Sequence, residues 1–162
     1  MKSLSRVGVA VTLAAVSAVA FSQGAGGPPN PEAQATSAIL TRQGLFKLIA
    51  NQNGPIGAMQ RNQREFDAAL VAKNAARIQT LSEMIPELFT LDTRQFKTTK
   101  TGALDGIWGS QADFKAKADA LTTAAGALVA AAKSGDKAAS MKAAADMGKS
   151  CGGCHDNFRA KP

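Results

Sequence analysis

From residue 31 onwards, apolar residues recur every three or four positions along most of the chain, which is the period of an amphipathic helix. The pattern is clear between residues 66 and 88, where the apolar positions include Phe66, Leu70, Ile78, Leu81, Ile85 and Leu88. The sequence contains no tyrosine and no run of alternating β-branched residues of the kind that indicates a strand. The sequence therefore predicts an all-α fold.

The first two predicted helical segments are separated by a turn sequence, Asn53-Gly54-Pro55. Helix one is predicted over residues 31–52, because a Gly-Pro pair after an Asn ends helices. A second helical segment is predicted over residues 56–91. Its continuity is open, because Pro86 and the pair at 73–74 are each candidate breaks.

The C-terminal half predicts two further helices, joined by a short turn at residues 134–136. A loop rich in Thr, Lys and Gly precedes them over residues 90–109 and is long enough to cover another part of the molecule. Helix three is predicted from a capping-box sequence at Ser110 to about Lys133, and helix four over residues 137–158. Long antiparallel helices joined mostly by short loops predict an up-and-down four-helix bundle.

The N-terminal residues have the pattern of a secretory signal peptide. A short basic start with Lys2 and Arg6 precedes an apolar stretch over residues 7–19, which is too short to span a bilayer comfortably. Small residues follow, and cleavage after Ser22 is favoured over a retained anchor. The sequence therefore predicts export to the periplasm with removal of residues 1–22.

The mature chain is expected to have a flexible N-terminal segment at residues 23–30 and one domain over residues 31–162. No further apolar run is long enough for a membrane span. The formal net charge of +7 becomes +5 once Lys2 and Arg6 are removed. Basic and acidic residues are interspersed without a basic block, so a nucleic-acid partner is not expected.

Cys151-Gly152-Gly153-Cys154-His155 is a C-x-x-C-H motif, the attachment sequence of c-type haem. On a helix, residues at i, i+3 and i+4 share one face, so two sulfurs and an imidazole can address one flat macrocycle. We therefore predict one covalently attached haem c (iron), with thioethers at Cys151 and Cys154. His155, the only histidine in the sequence, is the predicted axial ligand and the only metal ligand.

Two alternatives to haem were considered for the two cysteines. A haem-free thiol–disulfide protein needs only C-x-x-C, but the thioredoxin type begins a helix after a strand, whereas this pair lies late in the last predicted helix. A zinc site is disfavoured because the sequence has no other Cys or His to complete it.

A C-x-x-C-H motif near the end of a helical, signal-bearing chain resembles the class II c-type cytochromes, and cytochrome c′ most closely. The similarity covers about residues 34–159. The matching residues are Arg42-Gln43, Gly54, Ile107-Trp108 and the segment from Cys151 to Arg159. This resemblance implies a four-helix bundle that binds haem c.

The resemblance also implies roles for residues outside the motif. Arg42 and Gln43 are expected near the haem edge and its propionates, where a guanidinium can bind a carboxylate with two N–H groups. Arg159 is expected to place a positive charge beside the His155 imidazole. Thr101 is expected to donate a hydrogen bond to a propionate.

The sixth iron position decides between two functions. In low-spin relatives a methionine of helix one fills it, four residues after the position that matches Arg42, and here that residue is Phe46. The resemblance therefore implies five-coordinate, high-spin iron that binds NO or CO or transfers electrons. The alternative is a low-spin electron carrier that uses another methionine. The candidates are Met59, expected beyond the end of helix one, and Met84, Met141 and Met147, expected as core fillers.

The sequence shows no acid–base pair near the motif, so an enzyme is not expected. The expected partners are small diatomic gases and a redox protein. Family members are commonly homodimers that pack helix one and the following helix against their mates, and the moderately apolar outward faces of these helices permit a homodimer here.

Overall fold

The computed structural model describes residues 30–161 as four long helices and two short ones. In chain order they are α1 Pro31–Gln60, α2 Ala68–Glu83, α3 Ile85–Leu88, α4 Gly106–Gly109, α5 Gln111–Lys133 and α6 Lys137–Phe158. The predicted signal peptide at 1–22 and the segment at 23–29 lie outside the described residues. Within the described part, strand-type pairing is limited to one isolated bridge between Ala103 and Arg159. The predicted all-α class is confirmed.

The long helices α1, α2, α5 and α6 form an antiparallel four-helix bundle, as predicted. Helix α5 packs against α2 and α6, and α1 packs against α2. Among the largest fully buried side chains are Ile39, Ile56, Ile78, Leu128 and Met147. Burying each such side chain contributes roughly 1.5–3 kcal/mol, so the bundle is stabilised mainly by this interior. No helix within residues 30–161 has the length and apolar character needed to cross a membrane.

Helix α1 is longer than the sequence predicts. The predicted end near Gln52 is wrong, because the helix continues through Pro55 to Gln60. A proline inside a helix removes one hydrogen bond and costs about 3 kcal/mol. The continuation buries Ile56 and Met59, which are 0% and 3% exposed, and this burial offsets the cost of the proline.

The candidate break at residues 73–74 is also wrong, because α2 is continuous there. Asn74 is buried, and its Nδ2 donates a hydrogen bond to the backbone oxygen of Gln52 in α1 at 3.0 Å. This oxygen is next to that of Asn51, which loses its helical donor at Pro55. Asn74 thus ties α2 to the irregular part of α1.

The segment predicted over 56–91 is divided near Pro86, one of its two candidate breaks. Helix α2 ends at Glu83, and Pro86 lies in the first turn of α3, where no N–H is needed. The long loop predicted after it contains the short helix α4. Ser110 precedes α5 but makes no capping hydrogen bond with its side chain, so the predicted capping box is not formed.

Helix α6 has the predicted bounds, Lys137–Phe158. Asp136 caps it, since its carboxylate accepts a hydrogen bond from the backbone N of Ala139 at 3.0 Å. Gly135 has a φ of +75°, which allows the short turn that joins α5 to α6. This turn fixes the direction of the helix that carries the C-x-x-C-H motif.

Candidate haem-attachment site

The C-x-x-C-H motif occupies the last turns of α6. Cys151 and Cys154 are free thiols, half-buried against the hydrophobic core, and His155 is half-buried as well. The two intervening glycines, Gly152 and Gly153, have open space beside them, since a Cβ at either would meet no atom within 4 Å. The surface next to the motif is therefore free of close packing at these two positions.

Burial and local charge set the protonation of the motif. Burial raises the pKa of the Cys151 and Cys154 thiols, although the positive charge of Lys117 acts in the opposite direction at Cys154. Burial, and then the charge of Arg159, lower the pKa of His155. Near neutral pH these directions favour protonated thiols and a neutral imidazole, the form that ligates iron. Two thiols and a neutral imidazole on adjacent turns fit the attachment of haem c.

Arg159 lies directly after α6, and its backbone N donates a hydrogen bond to the backbone oxygen of His155 at 3.2 Å. It also forms the isolated bridge with Ala103 of the long loop. Backbone hydrogen bonds on either side of the bridge run from Leu104 N to Phe158 O at 3.0 Å and from Ala160 N to Gly102 O at 2.8 Å. The loop is thereby fastened to the end of the helix that carries the motif.

Gln43 of α1 contacts this same loop, and Thr101 is part of it. The Nε2 of Gln43 donates a hydrogen bond to the backbone oxygen of Lys100 at 2.8 Å. The hydroxyl oxygen of Thr101 accepts one from the backbone N of Ala103 at 3.1 Å. The structure therefore gathers Gln43, Thr101 and Arg159 at one end of the bundle.

The Arg42 side chain contacts a different segment. It is 3% exposed, and Nε donates to the backbone oxygen of Leu88 at 2.7 Å, Nη1 to the hydroxyl of Thr93 at 2.9 Å and Nη2 to the backbone oxygen of Leu91 at 2.6 Å. Its guanidinium carbon also lies 4.6 Å from the centre of the Phe89 ring. Burial lowers the pKa of Arg42, and the charge of Asp92 opposes this. Arg42 thus binds segment 88–93, whereas its neighbour Gln43 binds residue 100.

Phe46 lies one turn after Arg42 and is 37% exposed. Its ring centre is 6.3 Å from that of Phe89, which is itself buried. Phe89 lies 4.8 Å from Phe114, and Phe114 lies 5.3 Å from Phe158 of α6, between ring centres. Four aromatic rings therefore connect the Phe46 position on α1 with the end of the motif helix.

The methionines considered as sixth ligands differ in position. Met59 was expected beyond helix one, which is wrong because α1 continues past it to Gln60. Met59 and Met147 are 3% and 1% exposed and belong to the hydrophobic core. Met141 is partly buried against that core, and Met84 is 47% exposed between α2 and α3. Met59, Met141 and Met147 thus fill the core, whereas the expectation that Met84 is a core filler is wrong.

Two residues of this region, Phe89 and Thr93, were not identified from the sequence. Thr93 is 51 positions from Arg42, and it is buried in a loop whose composition is polar. Periodicity and spacing rules act over one or two helical turns, so they give no signal for such a contact. Their contacts with Arg42 are seen only in the folded structure, where the long loop packs against α1.

Comparison with known proteins agrees with this arrangement. A family model described as cytochrome C′ matches residues 37–159. Cytochrome c′ of Rubrivivax gelatinosus is 40% identical over 124 residues, which cover 76% of this chain and 95% of that protein. A crystal structure of cytochrome c′ from the same organism, at 39% identity, has a TM-score of 0.69 and covers 77% of this chain and 96% of that one.

Two further proteins are similar to this chain. Cytochrome c-554 of Cereibacter sphaeroides is 34% identical over 124 residues, which cover 76% of this chain and 80% of that protein. The nitric oxide complex of a mutant cytochrome c prime from Alcaligenes xylosoxidans is 31% identical, has a TM-score of 0.69 and covers 78% of this chain and 97% of that one.

The matched residues extend from the first turns of α1 to the residue after α6, so they include both the C-x-x-C-H motif and the α1 residues discussed above. Cytochrome c′ relatives carry covalently attached haem c, and this chain has the two cysteines that a single haem requires. The matched length, the identity and the four-helix architecture agree, and the chain therefore belongs to the cytochrome c′ family.

Proposed function

We propose that this chain is a periplasmic cytochrome c′ that binds NO and CO at a five-coordinate, high-spin haem. Cys151 and Cys154 hold the group through thioethers, and His155 is its one protein ligand. When bound, the haem supplies an iron with an open coordination position that takes a diatomic gas or exchanges an electron. The proposed role is gas binding or electron transfer, not catalysis.

Phe46 is the residue that carries this proposal. It stands where low-spin relatives have a ligating methionine, and a phenyl ring has no atom that can ligate iron. Its contact with Phe89 places it among other aromatic rings. Apolar surroundings without a hydrogen-bond donor favour NO and CO over O₂, which gains from such a donor. The nitric oxide complex of the related Alcaligenes protein supports gas binding.

The positions of the methionines support the open site. Met59 and Met147 are packed in the core. Moving either side chain so that its sulfur binds the iron would leave a cavity there. Met147 also lies on the same helix as His155, only two turns earlier, so it is not suited to reach the opposite face of an iron bound by His155. Phe46 thus remains the residue of interest at the sixth position.

Polar groups near the motif are suited to the haem carboxylates. Gln43 and Thr101 lie at the loop that is fastened to Arg159. Arg42 has five N–H groups, of which three make the bonds described above. When haem is bound, Arg42 is proposed to give its remaining N–H groups to a propionate, although the side chain is 3% exposed. The positive charge of Arg159 favours a neutral His155.

The test of this function is the absorption spectrum of the ferrous protein, expressed with haem-maturation machinery, before and after CO is added. We expect a broad high-spin spectrum that shifts on CO. Sharp α and β bands that do not respond to CO would mean that a methionine ligates the iron, and the protein would then be a low-spin electron carrier. A colourless protein with titratable thiols would indicate a haem-free thiol–disulfide protein.

Periplasmic location rests on the predicted signal peptide. The test is N-terminal sequencing of the haem-containing protein from a periplasmic extract. We expect a mature chain that starts at Gln23. A full-length chain in the membrane fraction would contradict the proposal.

A homodimer through α1 and α2 is part of the proposal. Leu40 and Leu48 lie two turns apart on α1 and are 55% and 54% exposed. A groove between α1 and α2 is lined by Leu48, Gln52, Ala76, Arg77, Thr80 and Leu81. Exposed apolar side chains of this size beside a groove are typical of interfaces.

The dimer is tested by analytical ultracentrifugation of Leu48→Glu. We expect this variant to be monomeric, while Leu104→Glu, which changes an exposed apolar residue of the long loop outside α1 and α2, stays dimeric. A wild-type protein that sediments as a monomer at high concentration would exclude the dimer.

A further inference from the structure

Segment 88–93 begins at Leu88, the last residue of α3, and has little regular structure after it. Arg42 donates hydrogen bonds to it at both ends and in the middle, through Leu88, Leu91 and Thr93. A buried guanidinium loses its hydration, so it is stable only with its N–H groups bonded. Removing the Arg42 guanidinium or one of its acceptors in the segment therefore leaves an unsatisfied polar group inside the protein. The segment and the guanidinium thus stabilise each other.

Phe89 is the aromatic residue of this segment, and four neighbours surround it. The Arg42 guanidinium lies over its ring, Trp108 Nε1 donates a hydrogen bond to its backbone oxygen at 3.1 Å, and Phe114 and Phe46 pack against its ring. Phe89 is 5% exposed, so little space remains for its ring to move. The position of the segment thus determines where the Phe89 ring lies against the Phe46 ring.

We propose that Arg42 is a positioning residue of the gas site. By holding segment 88–93 it keeps Phe89 against Phe46, and this contact sets how closely Phe46 covers the open face of the iron. The inference rests on the proposed function, in which Phe46 covers that face. It differs from the propionate role that the family resemblance implies, because it acts through the protein and not through the haem carboxylates.

The two roles of Arg42 require different variants to separate them. A guanidinium has five N–H groups and three of them bind the segment, so the number of donors is compatible with both the propionate role and the positioning role. Changing Arg42 disturbs both roles. Thr93→Val removes only the hydroxyl that accepts from Nη1, so it tests positioning alone.

The first measurement is hydrogen–deuterium exchange of the holoprotein over residues 88–93. We expect exchange about tenfold faster in Thr93→Val, since one bond to a charged donor is lost, and faster still in Arg42→Lys. Thr98→Val is the matched control, because Thr98 is an exposed threonine of the same loop that lies outside the segment, and its exchange over 88–93 should equal that of the wild type. Exchange in Thr93→Val that equals the wild type would overturn the proposed hold on the segment.

The second measurement is CO binding to the ferrous holoprotein by stopped flow, together with the infrared C–O stretch as a signature of the pocket. We expect Thr93→Val to change the CO association rate severalfold and to shift the stretch. In a Phe46→Ala background the same substitution should have no further effect, because its influence passes through Phe46.

Failure of the inference and failure of the proposed function are distinguishable. If Phe46→Ala alters CO binding but Thr93→Val does not, or if its effect persists without Phe46, the positioning role is wrong. If Phe46→Ala leaves CO binding unchanged, the proposed gas site is wrong and the inference falls with it. The exchange measurement is independent of either result.

Discussion

The backbones of Ala103 and Arg159 pair in an isolated antiparallel bridge, and this bridge fastens the long loop to the end of the motif helix. Arg159 is four residues after His155, and its N–H bonds the carbonyl of that residue. Gln43 of α1 reaches the same loop through the carbonyl of Lys100. Helix α1, the loop and α6 are thus joined by hydrogen bonds at the end of the bundle where the motif lies.

Replacing Ala160 by proline tests this attachment. Proline removes the N–H that donates to Gly102, and the preceding residue, Arg159, already has the extended backbone that a following proline requires, with φ −123° and ψ 131°. We expect a loss of about 0.5–1.5 kcal/mol in the free energy of unfolding and faster amide exchange over residues 100–104. Ala160→Gly, which keeps the N–H, is the control. Equal exchange in both variants would mean that the bond does not hold the loop.

Replacing Phe46 by alanine opens the proposed gas site. We expect CO to bind roughly tenfold more tightly, because crowding of this kind costs on the order of 1–3 kcal/mol and about 1.4 kcal/mol corresponds to a tenfold change. CO titration of the ferrous protein measures the affinity. Leu48→Ala, which truncates an exposed α1 side chain in the next half-turn, should leave CO binding unchanged. An unaltered affinity in Phe46→Ala would refute the pocket assignment.

The N-terminus of the motif helix depends on Asp136. Asp136→Ala removes the acceptor for the N–H of Ala139, and we expect a loss of about 1 kcal/mol in the free energy of unfolding. Ser110→Ala at the start of α5 is the matched control, since the Ser110 side chain makes no such bond, and it should cost much less. Urea denaturation measures both variants, and similar losses would contradict the difference in capping.

Pro55 lacks the backbone N–H that would donate a hydrogen bond to the backbone oxygen of Asn51, so it weakens α1 locally. We therefore expect Pro55→Ala to raise the free energy of unfolding by about 1–2 kcal/mol, less than the full cost of a helical proline because the freer unfolded chain offsets part of the gain. Pro31→Ala in the first turn of α1, where no N–H is needed, should change it by less than about 0.5 kcal/mol. A destabilised Pro55→Ala in urea denaturation would show that the proline ring contributes packing that exceeds the lost bond.

A hydroxyl pair links α2 and α5. The oxygen atoms of Ser82 and Thr122 are 2.7 Å apart, and Ser82 is 0% exposed. We expect Ser82→Ala and Thr122→Val each to lose about 1 kcal/mol, and the double variant to lose less than the sum, because the single bond between the two hydroxyls is already lost in either single variant. Chemical denaturation of the four proteins in this cycle gives the coupling, and strict additivity would exclude an interaction between the hydroxyls.

The sequence was sufficient where the determining interactions are local. The bounds of α6 follow from the Ser-Gly-Asp turn before it and from helical periodicity within it, so the sequence predicted Lys137–Phe158, as observed. The same holds for the motif, because the spacing of Cys151, Cys154 and His155 places them on adjacent turns of any helix. The all-α class and the bundle follow from the period of the apolar residues.

Local patterns failed where packing outweighs them. The turn signal at Asn53-Gly54-Pro55 predicted a helix end, yet burial of Ile56 and Met59 carries α1 through the proline. Asn74 was considered a break in α2, yet a bond to a carbonyl of α1 keeps it inside the helix. Each outcome depends on a neighbouring helix whose position is not encoded in the nearby residues.

The sequence by itself thus determined the fold class, the C-x-x-C-H motif and the presence of Phe46 at the position proposed to face the iron. Only the tertiary structure decided what Arg42 binds and which ring lies against Phe46. Caps and helical periods involve residues within one or two turns of each other, whereas the contact between Arg42 and Thr93 joins residues 51 positions apart. Such a contact forms because folding brings the long loop against α1 and buries both groups there, where the guanidinium must be hydrogen-bonded.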